Sequence, residues 1–264
     1  AVTEDLSING AGRLVESGRL TVSDVDTGEG SFRTAVIAAV GDKGQLTVAT
    51  DGSYTYSVLN TDVQYLGAGI TKTDTFTVKS FDGTAKDISF TVTGVNDAAV
   101  IGGPVPGAVT EDLNPNGLGR LTETGRLTVS DVDTGESSFQ TGVTPGAGDF
   151  GSLTLATDGS YAYTVANSAV QSLGAGITQT DTFTVKSFDG TAKEISFTIT
   201  GVNDAAVIGG VLGGSVTEDS ATTSVSGNAN STDVDGTDDL WAAASGTSAY
   251  GSWSVNTAGQ WTYT

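Results

Sequence analysis

Along most of this chain apolar and polar residues alternate with a period of two, in short runs broken by Gly, Asp and Asn. In an extended chain successive side chains point to opposite faces, so such alternation marks strands with one buried face. The pattern predicts strands over roughly 18–24 (Leu20, Val22), 32–39, 44–50 (Leu46, Val48), 53–59 (Tyr54, Tyr56, Val58), 73–81 (Phe76, Val78) and 86–95 (Ile88, Phe90, Val92). A strand leading up to Glu4 makes seven. Asp51-Gly52 and Asp82-Gly83 fall between alternating runs and read as hairpin turns. The stretch at 63–69 reads as a short helical turn or a loop crossing between sheets, and no longer helical period is present. Seven short antiparallel strands in about a hundred residues describe an all-β, immunoglobulin-like β-sandwich.

The same pattern then recurs. "AVTEDL" begins at 1 and at 108 and "SVTEDS" begins at 215, so Glu4, Glu111 and Glu218 stand 107 residues apart. From 66 to 103 and again from 173 to 210 the sequence differs only at Lys72/Gln179, Asp87/Glu194 and Val92/Ile199. A period of this length is a domain and not a solenoid turn. The expected organisation is a tandem array, rod-like, with one sandwich over 1–101, a second over 102–208 and an incomplete third over 209–264. The third lacks counterparts of 73–81 and 86–95 and ends on "GQWTYT", which aligns with "DGSYTYS" at 51–57. Half a sandwich exposes strand edges and half a core, so either the polypeptide continues or another chain supplies strands by β-addition. The absence of an initial Met makes the chain look like a piece of something longer.

Composition narrows the chemistry. The 264 residues hold 31 Asp+Glu against 11 Lys+Arg, a formal charge of −20, and no Cys, His or Met. Nucleic acid and anionic membrane surfaces repel such a chain, and cations are its natural partners. Thiolate nucleophiles, His bases, disulfides and soft-metal sites are excluded by residue type alone. No apolar stretch is long enough to span a membrane, so no membrane insertion is expected.

The carboxylates are arranged as well as numerous. "TVSDVDTGE" stands at 21–29 and at 128–136, with a looser "STDVDGTDD" at 231–239. Residues i and i+2 of an extended chain share a side about 7 Å apart, so Asp24 and Asp26 can converge on one ion. In an up-and-down trace the loops after the second, fourth and sixth strands share a pole, which gathers Asp24, Asp26, Asp51 and Asp82. The last strand runs to the other pole and its "GVND" end, Asn96 and Asp97, where the next repeat should present Asp131, Asp133 and Asp189. An all-oxygen set of this kind suits Ca²⁺ better than Mg²⁺. Plainer readings compete: Asp51-Gly52 has Ala258-Gly259 in the third copy, so turn chemistry accounts for it, and Asp82-Gly83 and Asp189-Gly190 also fit ordinary hairpins. The Asp-Val-Asp pairs could be solvated acidic loops, although they recur in every copy. Trp241, Trp253 and Trp261 suggest either a sugar-binding platform or, more simply, core aromatics, since Trp253 and Trp261 align with Leu46 and Tyr54.

"VTED", "SDVDTGE", "GQLTVATDGSYTYSV", "TDTFTVKSFDGT" and "VTGVNDAAV" together resemble the VCBS-type, bacterial cadherin-like tandem repeats of large surface adhesins of the biofilm and RTX type, over nearly the whole chain. More distantly they are similar to cadherin repeats, with Glu, Asp-x-Asp, Asp-x-Gly and Asn-Asp in the same order. The resemblance implies cadherin-like sandwiches with Ca²⁺ at their boundaries. By that analogy Glu4 joins Asn96, Asp97, Asp131 and Asp133 at the first junction, and Glu111 joins Asn203, Asp204, Asp233 and Asp235 at the second. It also favours ligation by Asp82 and Asp189. The acidic cluster that cadherins carry before their sixth strand has no match, since Asp62 is Ala169 in the second copy.

The function expected is a non-catalytic extender or structural module of a bacterial surface adhesin or extracellular fibre, stiffened by Ca²⁺ between repeats and located outside the cell. Its partners would be neighbouring repeats of the same or an adjacent chain. The alternatives are recognition of surface glycans, or a fibre subunit whose third repeat is completed by a donated strand. An enzyme is the weakest option, because the paired carboxylates recur in every copy and near no evident cleft. Asp24 and Asp26 have no preceding Asn-Asp here and are expected to form the weakest site, or to mark a natural chain that begins earlier.

Overall fold

A computed structural model describes residues 1–103, 107–236 and 239–264. The first repeat contains β1 (Val2–Thr3), β2 (Arg13–Arg19), β3 (Ile37–Ala38), β4 (Gln45–Val48), β5 (Ser53–Leu59), β6 (Thr71–Lys79) and β7 (Ala85–Thr93). They form two sheets, ordered β1-β7-β6-β3 and β2-β5-β4, with β1 parallel to β7 and the other pairs antiparallel. The second repeat contains β8 (Val100–Gly102), β9 (Gly107–Thr110), β10 (Arg120–Arg126), β11 (Thr128–Ser130), β12 (Thr144–Pro145), β13 (Ser152–Leu155), β14 (Ser160–Ala166), β15 (Thr178–Lys186) and β16 (Ala192–Thr200). It repeats both sheets, as β12-β15-β16-β9 and β10-β14-β13, and adds a two-stranded ribbon of β8 and β11. The fold is all-β, in tandem cadherin-like sandwiches.

The alternating residues face inward as their period requires. Tyr56, Phe76 and Phe90 meet in the first core, and Tyr163, Phe183 and Phe197 in the second. In each, the Tyr and the second Phe stack nearly parallel, with centroids 4.5 Å and 4.4 Å apart. Such contacts add about 0.5–1.5 kcal/mol beyond the burial itself. Each Tyr hydroxyl donates to a buried carboxylate, Tyr56 to Asp74 at 2.8 Å and Tyr163 to Asp181 at 2.7 Å.

Two strand expectations change. The strand expected over 18–24 lies instead at Arg13–Arg19, paired with β5; Leu14 is its one buried apolar side chain, so its alternation is faint in the sequence. The strand expected over 32–39 shrinks to Ile37–Ala38, with Phe32 making an isolated bridge to Ser80. The stretch before and within 63–69 is a 3-10 turn over Asn60–Asp62 followed by hydrogen-bonded turns. In addition, Ile101 packs in the second core and not the first.

The third repeat contains β17 (Val207–Gly210), β18 (Val225–Thr232), β19 (Ala244–Thr247), β20 (Ser252–Val255) and β21 (Gln260–Tyr263), in one sheet ordered β17-β18-β21-β20-β19. Trp253 is 42% exposed where its counterpart Leu46 is 8% exposed. The sheet that covers Leu46 contains β6 and β7, which have no counterpart in 209–264.

Gly94 and Gly201 end the last strand of the first two repeats at points of close approach. A Cβ on either would lie 2.0 Å from a backbone oxygen, of Leu66 or Leu173. Gly94 also receives the amide of Gly69 and donates to Ile70, which fixes the turn beside Asn96-Asp97. Gly94→Ala is expected to displace that turn and destabilise the first repeat by about 1–3 kcal/mol. Urea unfolding followed by tyrosine near-UV dichroism measures it.

Candidate metal centre at the repeat junctions

Glu4 follows the two-residue β1, whose parallel pairing with β7 carries it to the end of the sandwich where β7 stops. It is fully buried. Its Oε2 accepts the amide of Val95 at 3.1 Å and its Oε1 accepts Gln64 Nε2 at 2.8 Å. Asp5 turns through a positive φ of 56° and exchanges two hydrogen bonds with Asn60. The chain then leaves β7 through Val95, Asn96 and Asp97, and Asp97 donates its amide to Asp133 Oδ2 of the second repeat at 2.9 Å. Asp133 is 2% exposed, and its own amide is held by Asp131 Oδ1 at 2.9 Å. The amide of Thr134 donates back across the junction to the carbonyl of Tyr65 at 3.1 Å. Asp189 Oδ2 accepts from Ala99 N at 3.2 Å and Asn96 Nδ2 at 3.4 Å.

The second junction repeats this arrangement. Glu111 Oε2 accepts Val202 N at 3.0 Å and Oε1 accepts Gln171 Nε2 at 2.7 Å. Asp204 donates its amide to Asp235 Oδ2 at 2.9 Å, and Asp235 donates its own to Asp233 Oδ1 at 3.0 Å. Asn203 Nδ2 donates to the carbonyl of Asp204, as Asn96 Nδ2 does to Asp97.

Asp131, Asp133 and Asp235 each use one oxygen in these bonds and leave the other without a partner among the described residues. Asp97 Oδ2, Asp131 Oδ2 and Asp133 Oδ1 at the first junction, and Asp204 Oδ2 and Asp235 Oδ1 at the second, are buried and accept no hydrogen bond among the described residues. A buried polar atom without a partner costs about 1–3 kcal/mol, more when charged. The electrostatics agree. Burial, then the neighbouring charges of Asp5, Asp97 and Asp133, raise the carboxyl of Glu4 above its ordinary range, although the Val95 amide opposes this. Burial and the charges of Asp5, Asp133 and Asp131 raise that of Asp97. Glu111 and Asp204 are raised in the same way, by burial and then by the acids around them. Such a set fits a hard cation taking six to eight oxygens.

Asp24, Asp26 and Glu29 place carboxylate oxygens within 4.8 Å of one another. They are the first-repeat counterparts of Asp131, Asp133 and Glu136. Both glutamates escaped the sequence reasoning, although Glu closes each exact copy of "SDVDTGE". Burial and the charges of Asp133, Asp131 and Asp189 raise Glu136. The corresponding position in the third copy, Asp238, lies outside the described residues. Asp82 is the first-repeat counterpart of Asp189, and its oxygens accept from Ser80 and Thr84 within its own turn, which holds its carboxyl down at about 2. Burial works against ionisation of Asp189, but the hydroxyls of Ser187 and Thr191 and the amides of Thr191 and Ala99 outweigh it and hold this carboxyl low. Asp189 thus combines the turn role of Asp82 with a contact to Asn96. Asp51 pairs with Arg19 and caps Ser53, as turn chemistry predicts.

No curated protein matches the chain. Among solved structures it is similar to a protocadherin gammaB7 EC3-6 cis-dimer, at 15% identity and TM-score 0.47, covering 99% of this chain and 62% of that one. It is also similar to protocadherin gamma B7 domains 1-4, at 16% identity and TM-score 0.42, covering 94% and 62%, and to the protocadherin gammaB4 extracellular domain, at 14% and 0.44, covering 99% and 41%. The chain thus spans less than two thirds of these relatives. The bacterial cadherin-like domain pattern matches residues 1–94 and again 96–201, one copy on each side of the first junction. By that double match the chain belongs to the bacterial cadherin-like domain family.

Proposed function

We propose that this chain is a non-catalytic, extracellular structural module of a bacterial surface adhesin or fibre, in which Ca²⁺ locks each repeat to the next. The observation that carries the reading is the set of buried, unpartnered carboxylate oxygens contributed from both sides of each junction. At the first junction the ligands would come from Glu4, Asn96, Asp97, Asp131, Asp133 and Glu136, with Asp189 behind them. At the second they would come from Glu111, Asn203, Asp204, Asp233 and Asp235. Asp24, Asp26 and Glu29 would form a more open and weaker site. Without a cation, like charges crowd each junction and loosen it; with Ca²⁺ the charge is neutralised and the linker is tied to both neighbours. Family membership supports the adhesive setting, and the high acidity suits a compartment rich in divalent cations.

Calorimetric titration of the chelated chain with Ca²⁺ is expected to show binding at about 10⁻⁴–10⁻³ M, the range common to extracellular modules. Small-angle scattering should register a longer, stiffer particle on saturation. An unchanged scattering profile together with no heat of binding at millimolar Ca²⁺ would sink the reading. Mg²⁺ at the same concentration should substitute poorly, because it dehydrates reluctantly and demands octahedral geometry.

A further inference from the structure

The loop between β1 and β2 closes in a tight turn on Asn9. The Asn9 amide donates to the carbonyl of Arg13 and the Asn9 carbonyl accepts the amide of Gly12, both at 2.9 Å, with Gly12 at a φ of +73°. The side-chain Oδ1 of Asn9 accepts two further amides, of Ala11 at 2.9 Å and Arg13 at 3.0 Å. The second repeat builds the same turn on Asn116, whose Oδ1 accepts Leu118 N at 3.0 Å and Arg120 N at 3.1 Å, with Gly119 at +67°. The third repeat builds it between β20 and β21: Asn256 Oδ1 accepts Ala258 N and Gln260 N, each at 3.0 Å, with Gly259 at +74°. The residue after the asparagine is Gly10, Gly117 or Thr257. Thr257 shows that the turn takes a β-branched residue there, and a Cβ on Gly10 or Gly117 would meet nothing within 4 Å. Neither glycine has a positive φ. The fold therefore does not require these two glycines, and what they add is chemical.

They supply an unshielded nucleophile. Asn9, Gly10, Asn116 and Gly117 are all exposed, and among the described residues the amides of Gly10 and Gly117 donate to no acceptor. The two amides on each Oδ1 are aimed at the oxygen where negative charge develops when a nitrogen attacks Cγ, which is the arrangement of an oxyanion hole. We propose that Asn9 and Asn116 are self-modification sites, at which the following glycine amide displaces ammonia from the side chain and the asparagine becomes aspartate or isoaspartate. Hydroxide takes the Gly10 amide proton, the nitrogen bonds to Asn9 Cγ, and the Cγ–Nδ2 bond breaks as Nδ2 leaves with a proton from water. Water then opens the cyclic imide: opening at Cγ gives aspartate, and opening at the main-chain carbonyl leaves the backbone routed through Cγ. Either product adds a negative charge, and isoaspartate also adds a methylene to the main chain. The turn is tied to the junction. The Gly12 carbonyl accepts the Asn60 amide at 3.0 Å, and Asn60 exchanges two hydrogen bonds with Asp5, next to Glu4. Asn167 links Gly119 to Asp112, beside Glu111, in the same way. Modification therefore ages the loop that positions each of these glutamates.

The reaction uses no carboxylate of the junctions, so its outcome does not depend on the proposed Ca²⁺ reading and is followed in chelator. The full chain is incubated at neutral and at mildly alkaline pH, then digested and mapped by mass spectrometry, with aspartate and isoaspartate peptides separated by chromatography. Asn9 and Asn116 are expected to convert in the folded chain, faster as pH rises, with isoaspartate among the products. Gly10→Thr gives the first turn the residue of the third. It should slow Asn9 by at least about tenfold, equivalent to about 1.4 kcal/mol in the barrier, and leave Asn116 unchanged as the internal clock. Asn256, followed by Thr257 and with its Nδ2 held by Gln260 Oε1 at 2.9 Å, should lag Asn9 by at least as much. The same chain in urea separates the turn from the bare dipeptide, because unfolding removes the amides from Oδ1 and should make conversion no faster. Faster conversion in urea than in the folded chain overturns the proposal. An Asn9 rate that Gly10→Thr leaves unchanged overturns it too.

Discussion

Asp181→Ala is expected to destabilise the second repeat by about 3–5 kcal/mol, enough to unfold it at moderate urea while its neighbours stay folded. Asp181 lies on β15 in phase with Phe183 and Val185, so its side chain points into the core, and it is fully buried. Its oxygens accept three bonds: the Tyr163 hydroxyl at 2.7 Å, the Phe150 amide at 3.0 Å and the Gly151 amide at 2.6 Å. Truncation leaves the buried Tyr163 hydroxyl and the two part-buried amides without this acceptor and opens a cavity beneath the stacked Tyr163–Phe197 pair. The alternative Tyr163→Phe removes one donor and leaves the carboxylate two amides, so a smaller loss, about 1–2 kcal/mol, is expected. The measurement has a built-in control. Every Trp of the chain lies between 241 and 261, in the third repeat, so tryptophan fluorescence should not move while tyrosine near-UV dichroism does. If Asp181→Ala and Tyr163→Phe cost the same, the carboxylate is not the hub of this network. The first repeat offers a contrast: Lys72 Nζ lies 3.5 Å from Asp74, where the second repeat has Gln179. A cation is therefore dispensable to the motif, and the backbone amides are its constant part.

This buried acid shows where sequence reading succeeds and where it stops. In "TDTFTVK" the alternation marks β6 and β15 correctly, because Phe and Val recur every second residue and one face is dry. The same period places Asp74 and Asp181 on that dry face, and a carboxylate in phase with core residues is a legible sign of a buried hydrogen-bond hub. It passed unremarked beside the more conspicuous Asp-Val-Asp pairs. β2 was harder. Only Leu14 turns inward from it, so propensity at Leu20 and Val22 pulled the expected strand several residues too far along. The structure explains that pull: the matching residues 128–130 do form a strand when Val100–Gly102 lies beside them, so the strand character of Thr21–Ser23 depends on a partner. At the junctions, Asn96-Asp97 and Asp131/Asp133 could be paired from topology, since odd and even strand ends fall at opposite poles. Glu29 and Glu136 could not, because whether a loop glutamate folds back over its own Asp-Val-Asp turn is decided by local backbone, and the packing of Glu136 against Gly67 of the other repeat is a tertiary event.

Asp133→Asn should reverse its effect on stability with the cation, and this reversal separates a metal ligand from an ordinary structural acid. In chelator the substitution removes one charge from a cluster in which burial and mutual repulsion already raise Glu4, Asp97 and Glu136. The amide oxygen can still accept the Asp97 amide that Asp133 Oδ2 accepts at 2.9 Å. The variant should therefore be as stable as the parent, or more stable by up to about 1 kcal/mol. In Ca²⁺ the order inverts. A ligand present at about a hundred times its Kd stabilises the state that binds it by about 2.7 kcal/mol, and a variant that cannot bind forfeits that amount. Asp133 Oδ1 is buried and unpartnered, and under the proposed function its replacement by an amide nitrogen would deny the cation a ligand. Asp235→Asn should repeat the result at the second junction. The two sites share no residue, so the losses should add within about 0.5 kcal/mol. Thermal unfolding of the parent, both single variants and the double variant, each in chelator and in millimolar Ca²⁺, tests all of this in one series. A structural acid would give the same loss in both conditions, and parallel shifts of that kind would remove Asp133 from the ligand set. An inversion confined to Ca²⁺ and absent in Mg²⁺ would tie the effect to a site of high coordination number, because only the larger ion accommodates six to eight oxygens drawn from two repeats at once.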